Sequence, residues 1–414
     1  MGRFQTTPRE RVRAQAMRCL AVIALPLVIA ACSTPQRLDA VPFAHVPQAI
    51  PEVENVRFIA GPTMEKFADE YLSSLRKEQA YLASTGHTGP LPPTSFLAIS
   101  GGGGNGAFGA GLITGWTSAG RPVFKTVTGV STGALIAPFA FLGPKYDSAL
   151  RETYTTTTDD GIFKKRNLLK GIMGDAMADT EPLRRMVGRL ITPAFLAEIA
   201  AEYQKGRLLL VGTTDLDAQR GVIWNMTALA SSPDPDAIGL FRKILLASAS
   251  IRGAFPPVMI DVTVDGKRYQ EMHVDGGATA QVFIYPPRFH LQEIAAAQGF
   301  DRKRTLYIIR NARLDADWTN VHRRTLNIAT TAISSLIHNQ GTGDLHRMFL
   351  TANRDRLDYN LAFIPPDFTL VAKSQFDPVY MSQLFARGHD AARAGYRWEK
   401  YPPGYGPDPL AKAP

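Results

Sequence analysis

Cysteine is almost missing from this chain. Cys19 and Cys32 are the only two in 414 residues, and both lie within the first 32. The rest of the fold therefore has no disulfide and no cysteine metal site, and it takes its stability from a core that a chain this long can build. Charge of one sign is also scarce. The formal net charge is +9, but residues 1–31 hold five Arg and one Glu, which leaves 41 basic and 36 acidic residues beyond them. No run of Lys and Arg is interleaved with aromatics, which argues against a nucleic-acid partner. Internal repeats are absent. At 45% hydrophobic and 20% charged residues, the composition is that of a globular protein with one large domain or two ordinary ones. We find no sign of a second independent domain.

What stands at the N-terminus reads as an address. Arg3, Arg9, Arg11, Arg13 and Arg18 precede Leu20–Ala31, an apolar run of twelve residues, and Ala30 and Ala31 precede Cys32. That order is a secretory signal over 1–31, and twelve residues are too few to span a bilayer. Ile29-Ala30-Ala31-Cys32 resembles a bacterial lipobox, in which Cys32 is lipidated and becomes the mature N-terminus. Ser33 is not the Asp associated with inner-membrane retention, so the expected location is the cell envelope, at the outer membrane. Met17 is a second candidate start. Met1-Gly2 opens a myristoylation pattern that an export signal argues against. Residues 32–62, with many Pro and Ala and little periodicity, are expected to be a tether, followed by one domain over 63–414.

Within that domain the pattern is α/β. Thr63–Leu82 carries Phe67, Tyr71, Leu72 and Leu75 at helical spacing. Strands are expected at Phe96–Ser100, Val123–Thr128, Arg207–Thr214, Val222–Met226, Val258–Val264, Lys267–Val274 and Thr305–Arg310. Helices are expected at Gly106–Ala119, Thr132–Leu142, Gly239–Ser250, Val321–Leu350 and Pro378–Trp398, the last two forming a helical extension over 321–400. Asp265-Gly266 between two strands is a two-residue hairpin signal. Residues 143–205 read as a mixed stretch, either a cap over the substrate or a surface excursion.

Two glycine-dense turns carry the chemistry: Gly101-Gly102-Gly103-Gly104-Asn105-Gly106, and Gly129-Val130-Ser131-Thr132-Gly133. Each sits where a strand ends and a helix starts, the place where α/β sheets hold ligands. Ser131 between a strand and the apolar helix from Ala134 has the context of a nucleophile elbow; the competing reading is a helix N-cap. Gly104-Asn105-Gly106-Ala107-Phe108-Gly109 also fits the dinucleotide pattern, but that fold needs an acid about 20 residues on. Between Gly106 and Asp147 there is no Asp or Glu. A phosphate-binding P-loop needs Gly-Lys-Ser/Thr, which is absent. What remains is an oxyanion hole of bare N–H groups. For a base, the α/β-hydrolase order would use Asp344 or Asp377 and then His389, although in those enzymes the oxyanion loop lies much further from the serine than 28 residues.

These motifs resemble those of patatin-like phospholipases. Gly101–Gly106 resembles the family's G-G-G-x-R-G loop, Gly129–Gly133 its G-x-S-x-G elbow, and Asp275-Gly276-Gly277 its D-G-G/A motif. Ala247–Pro257 resembles the stretch ahead of that Asp. The match spans roughly Phe96–Ala280, the motif core. It implies a three-layer α/β/α domain with a central, mostly parallel sheet, and a Ser131–Asp275 dyad without histidine. Neither cofactor nor metal is expected, and the partner would be a lipid or phospholipid ester, at a membrane reached through lipidated Cys32. A carboxylate with a pKa near 4 is a weak base for a hydroxyl, so the dyad would rely on desolvation and on the helix dipole beside Ser131. His273 alternates onto the strand face of Asp275 and is expected to be structural. Asn105 stands where the family has Arg or Lys. That departure keeps a catalytically silent envelope lipoprotein as the alternative, ahead of a nucleotide-binding oxidoreductase.

Overall fold

The computed structural model describes residues 37–406 apart from 60, 62, 166–175, 252–253 and 316–319. The signal over 1–31, Cys32 and the start of the tether lie outside these residues, as do Arg252, Gly253 and most of Leu168–Met177.

Ten strands form one mixed sheet: β1 (Ile50–Pro51), β2 (Arg57–Ile59), β3 (Thr94–Ile99), β4 (Phe124–Val130), β5 (Leu208–Asp215), β6 (Arg220–Asn225), β7 (Val258–Val264), β8 (Lys267–Asp275), β9 (Arg304–Arg310) and β10 (Leu357–Phe363). The order is β1-β7-β8-β5-β4-β3-β9-β10, with β6 on β5 and β2 on β6. Strands β5, β4, β3, β9 and β10 run parallel, while β6, β7 and β8 join through antiparallel pairs. Every residue of β4 and β5 is buried, as expected of central parallel strands covered on both faces.

Alternation along the strands divides the core into two layers. Leu97 and Ile99 of β3 face one apolar cluster, Phe96 and Ala98 the other. The first cluster is filled by helices α2 (Gly106–Trp116), α3 (Thr132–Leu142), α7 (Ala237–Ser248) and α10 (Pro378–Arg393). The second takes α1 (Met64–Ser84), α8 (Leu291–Ala297) and the C-terminal part of α9 (Thr325–Arg354). The fold is thus the expected three-layer α/β/α arrangement.

Three stretches depart from their reading in the sequence. Residues 37–59, read as tether, are laid on the body: β1 pairs with β7, β2 pairs with β6, and Val41, Val46, Val53 and Val56 are buried. Residues 143–205 include three helices of ten or more residues: α4 (Asp147–Thr156), α5 (Glu181–Leu190) and α6 (Pro193–Gln204). Residues 321–400 are no appendage, because they supply edge strand β10 and helix α10, which packs along α2. That helix pair is close enough that a Cβ on Gly111 would lie 2.1 Å from the Phe385 carbonyl oxygen.

Candidate active site

The registers bring two strand ends together. β6 occupies one edge of β5 from Leu210 to Asp215. The opposite edge is shared: β4 pairs along it up to Val130 opposite Gly212, and β8 pairs along it from the other direction, ending with Asp275 opposite Thr213. The two strands therefore approach head-on. Because Asp275 holds the place opposite Thr213, the chain after Val130 has to leave the sheet, and Ser131 is the residue that turns. Its φ is +55° and ψ −126°, a backbone state that costs a non-glycine residue about 1–3 kcal/mol and concentrates at functional sites. The turn is tight enough that a Cβ on Gly133 would lie 2.3 Å from the Ile99 carbonyl oxygen.

Ser131 precedes α3 but makes no side-chain cap to it, so the N-cap reading fails. Its N–H donates to Ser248 Oγ at 3.0 Å, and the Ser248 hydroxyl donates to the Gly212 carbonyl at 2.7 Å. Two residues on, the Ser250 carbonyl accepts the Asp275 N–H at 3.0 Å. One short segment at the end of α7 thus fixes both strand ends. Asp275 Oδ1 accepts the Gly277 N–H at 2.7 Å. The turn at Gly276 lies on β4 and β5: a Cβ there would be 2.4 Å from the Gly212 carbonyl oxygen and 3.1 Å from Val130 Cγ1. Ser131 and Asp275 are 7% and 8% exposed, so both are largely shielded from bulk water.

The glycine loop faces the elbow. The Cα of Gly101 points at Ser131, whose Oγ would lie 3.8 Å from a Cβ built there. Gly101 N–H donates to the Gln281 carbonyl at 3.0 Å, and the N–H groups of Asn105 and Gly106 close the short 3₁₀ turn Gly103–Asn105. Among the described residues the N–H groups of Gly102, Gly103 and Gly104 meet no acceptor. Gly102 has φ +157° and a Cβ on it would be 2.3 Å from the Asn311 carbonyl oxygen, so only glycine fits. Asn311 clamps this loop: its N–H donates to Ser100 Oγ (2.8 Å), its Nδ2 to the Ser100 carbonyl (2.9 Å), and its Oδ1 accepts the Gly109 N–H (3.0 Å). Asn105 is held as well, its Oδ1 accepting the Tyr380 hydroxyl at 2.8 Å.

Behind Asp275 lies a buried polar chain. Trp224 Nε1–H donates to Thr213 Oγ1 at 2.8 Å, Thr213 Oγ1 meets His273 Nδ1 at 3.0 Å, and His273 Nε2 meets Glu271 at 3.1 Å. Arg57 pairs with the same carboxylate. Both ring nitrogens of His273 are thereby engaged away from Asp275, and its part is structural. Burial alone would raise the Glu271 carboxyl, but the charge of Arg57 and the bonds from His273 and Arg57 outweigh it and bring it down to about 2. Asp215, Glu271 and His273 bring ligand atoms within 4.8 Å of one another. A cation is already supplied there by Arg57. Asp215 accepts the N–H groups of Asp217 and Ala218, and burial raises its carboxyl.

The other bases considered lie elsewhere. His389 sits at the far end of α2, its carbonyl against Gly115, with its ring nitrogens on Arg151 and Asp390. Asp377 caps α10. Asp344 accepts the Gln281 N–H at 2.7 Å; burial raises its carboxyl against the pull of that bond and of Arg347. The residues that sequence reasoning missed are Ser248, Ser250, Gln281 and Asn311. Ser248 and Ser250 stand inside the Ala247–Pro257 stretch, which marked the place without marking their roles. A cavity of about 700 Å³ adjoins the site, lined by Val130, Gly212, Gly276, Phe283 and Met348 among others, but not by Ser131 or Asp275.

A serine on a strained strand-to-helix turn, an acidic strand end on the same edge of β5 and a glycine loop whose Gly101 approaches the serine make up a candidate α/β site. Residues 97–287 match the family model of the patatin-like phospholipases, and the chain carries a patatin-like domain over that range. Among solved structures it is similar to VipD from Legionella pneumophila, at 13% identity and a TM-score of 0.34, covering 73% of this chain and 66% of that one. It is also similar to full-length ExoU, solved with SpcU from the type III secretion system of Pseudomonas aeruginosa, at 12% identity and a TM-score of 0.30, covering 74% of this chain and 52% of that one. Comparison with curated proteins gives no match.

Proposed function

We propose that this protein hydrolyses acyl esters of lipids through Ser131 and Asp275. Ser131 Oγ attacks the ester carbonyl while its proton passes to the Asp275 carboxylate. The negative charge that develops on the carbonyl oxygen is received by the N–H groups of Gly102, Gly103 and Gly104. Collapse of the tetrahedral intermediate expels the alcohol, which takes the proton back from Asp275 and leaves Ser131 acylated. Water then repeats the sequence: Asp275 accepts its proton, the hydroxyl adds to the acyl carbon, and the acid departs as Ser131 regains its hydrogen.

The observation that carries this reading is the head-on meeting of β4 and β8 on one edge of β5. It puts the strand end that leads to Ser131, a serine without a side-chain cap to its helix, next to the one that carries the largely buried Asp275. It supports this reading together with the Gly102–Gly104 N–H groups, which meet no acceptor among the described residues. Removing one donor of this kind typically raises the barrier by about 3–4 kcal/mol.

The test is labelling of the purified chain with a fluorophosphonate probe, beside turnover of short p-nitrophenyl esters. The wild type is expected to take the label and Ser131→Ala to lose both label and turnover; Asp275→Asn is expected to lose turnover with its fold intact. Undiminished labelling of Ser131→Ala would sink the assignment, and a wild type that takes no label would mark the domain as a silent scaffold.

A further inference from the structure

Helix α9 changes character along its length. Its C-terminal part is in the core, with Leu345 and Ala352 fully buried and Met348 nearly so. Its N-terminal part, from Thr325 to about Gln340, projects: Ile328, Ile333 and Leu336 are 53%, 52% and 70% exposed. Exposed apolar residues are ordinary when scattered singly. Here they are ordered.

At 100° per residue, Ile328, Ala332 and Leu336 form one i, i+4, i+8 row, and Ala329, Ile333 and Ile337 form the adjacent row. The opposite side holds Asn327, Thr330, Thr331, Ser334, Ser335 and His338. Between Asn320 and Gly343 there is no Asp or Glu, and the only permanent charges are Arg323 and Arg324, both exposed, at the start of the helix. A projecting core helix usually turns charges to water. This one turns an apolar face outward, a neutral polar face behind it and two cations at its tip.

We infer that residues 323–340 dock on a lipid surface carrying anionic headgroups, with Ile328, Ile333 and Leu336 entering the acyl boundary and Arg323 and Arg324 meeting the phosphates. The apolar face is what such a helix buries in an interface, and the arginines supply the charge complement. A spanning role is excluded for it, since no described helix is long and apolar enough to cross a membrane. The same helix face continues inward: Leu336, Gln340, Asp344, Arg347 and Thr351 follow at three- and four-residue steps, and the last three line the cavity beside the Gly276 turn. From Leu336 to Met348 is twelve residues, about 18 Å of helix. The docking surface and the cavity thus lie along one continuous helix.

The inference rests on the proposed lipid chemistry only for its purpose, and binding is tested without turnover. The full chain with Ser131→Ala is prepared with Leu336→Trp or, as control on another face, Val123→Trp; both positions are exposed, Val123 at 76%. Vesicles with brominated acyl chains are added, either phosphatidylcholine alone or mixed with phosphatidylglycerol. The added indole at 336 is expected to be quenched at least two-fold more than that at 123 on anionic vesicles, and several-fold less on neutral ones or after Arg323→Glu with Arg324→Glu. Equal quenching at 336 and 123 would overturn the proposal. Equal quenching at 336 on neutral and anionic vesicles would overturn the assignment to anionic headgroups. A blue-shifted indole at 336 without vesicles, with a dimer in sedimentation, would assign the face to a second copy instead. Loss of ester hydrolysis in the parent chain leaves each of these readouts unaffected, so the two proposals fail separately.

Discussion

The two sides of the sheet place their groups by different physics. On the parallel side, β3 and β4 deliver the glycine loop and the elbow, and position is set by how closely backbones approach: Gly102 against Asn311, Gly133 against Ile99. On the antiparallel side, β8 delivers Asp275 in front of a buried chain running from Trp224 through Thr213, His273 and Glu271 to Arg57. There position is set by charge and hydrogen bonds. The steric half tolerates no added atom at these glycines, and Asn311 ties its loop down as well. The polar half is as tight at Gly276 and fails in addition when one partner is removed. Ser248 and Ser250 join them, since their segment bonds to the elbow on one side and to Asp275 on the other.

This contrast can be broken at three points. The largest effect is expected from Glu271→Gln, which leaves the buried Arg57 without its counter-charge. Removing one partner of a buried pair costs about 3–5 kcal/mol, to be read as a fall in the urea midpoint at pH 7. Its pH dependence has a definite sign. The folded carboxyl titrates near 2 against an ordinary 4.5, so its contribution is complete above about pH 4.5 and drains as pH falls towards 2. Wild type should therefore lose stability over that window more steeply than the variant, and parallel curves would refute the assignment. Next comes Gly102→Ala, where the new methyl has no room. We expect kcat to fall roughly 10²- to 10³-fold with a folded chain, and normal kcat would show that the loop is not held as described. Ser248→Ala is the smallest: it strands the Ser131 N–H and the Gly212 carbonyl at about 1–3 kcal/mol. If the segment joins both halves, ester turnover and thermal midpoint should drop together; a drop in the midpoint alone would make Ser248 merely structural.

How legible each half was follows from the same contrast. The elbow and the loop were readable because steric demands leave glycine in fixed places along the chain. Strands β7 and β8 were readable because Asp265-Gly266 signals their turn, and both residues do take positive φ, +49° and +78°. β10 was not: Leu357–Phe363 carries Asp358 and Asn360, residues poor in strands, which here bind Lys400 at the sheet edge. Arg57 was not readable either, because its partner Glu271 is 214 residues away and nothing local marks the pairing. Asn311 escaped for the same reason, its clamp on Ser100 spanning 211 residues.

The laying of residues 50–59 on β7 and β6 has a consequence for how the chain is made. The first strands to leave the ribosome have nothing to pair with until the segments near 220 and 260 have appeared. At about 5–20 residues per second, the wait between residue 50 and residue 275 is roughly 10–45 s. Through that interval Val53, Val56 and Phe58, all buried in the finished fold, are uncovered. Residues 50–59 thus wait without cover until Val222–Trp224 and Val262–Thr263 have been made.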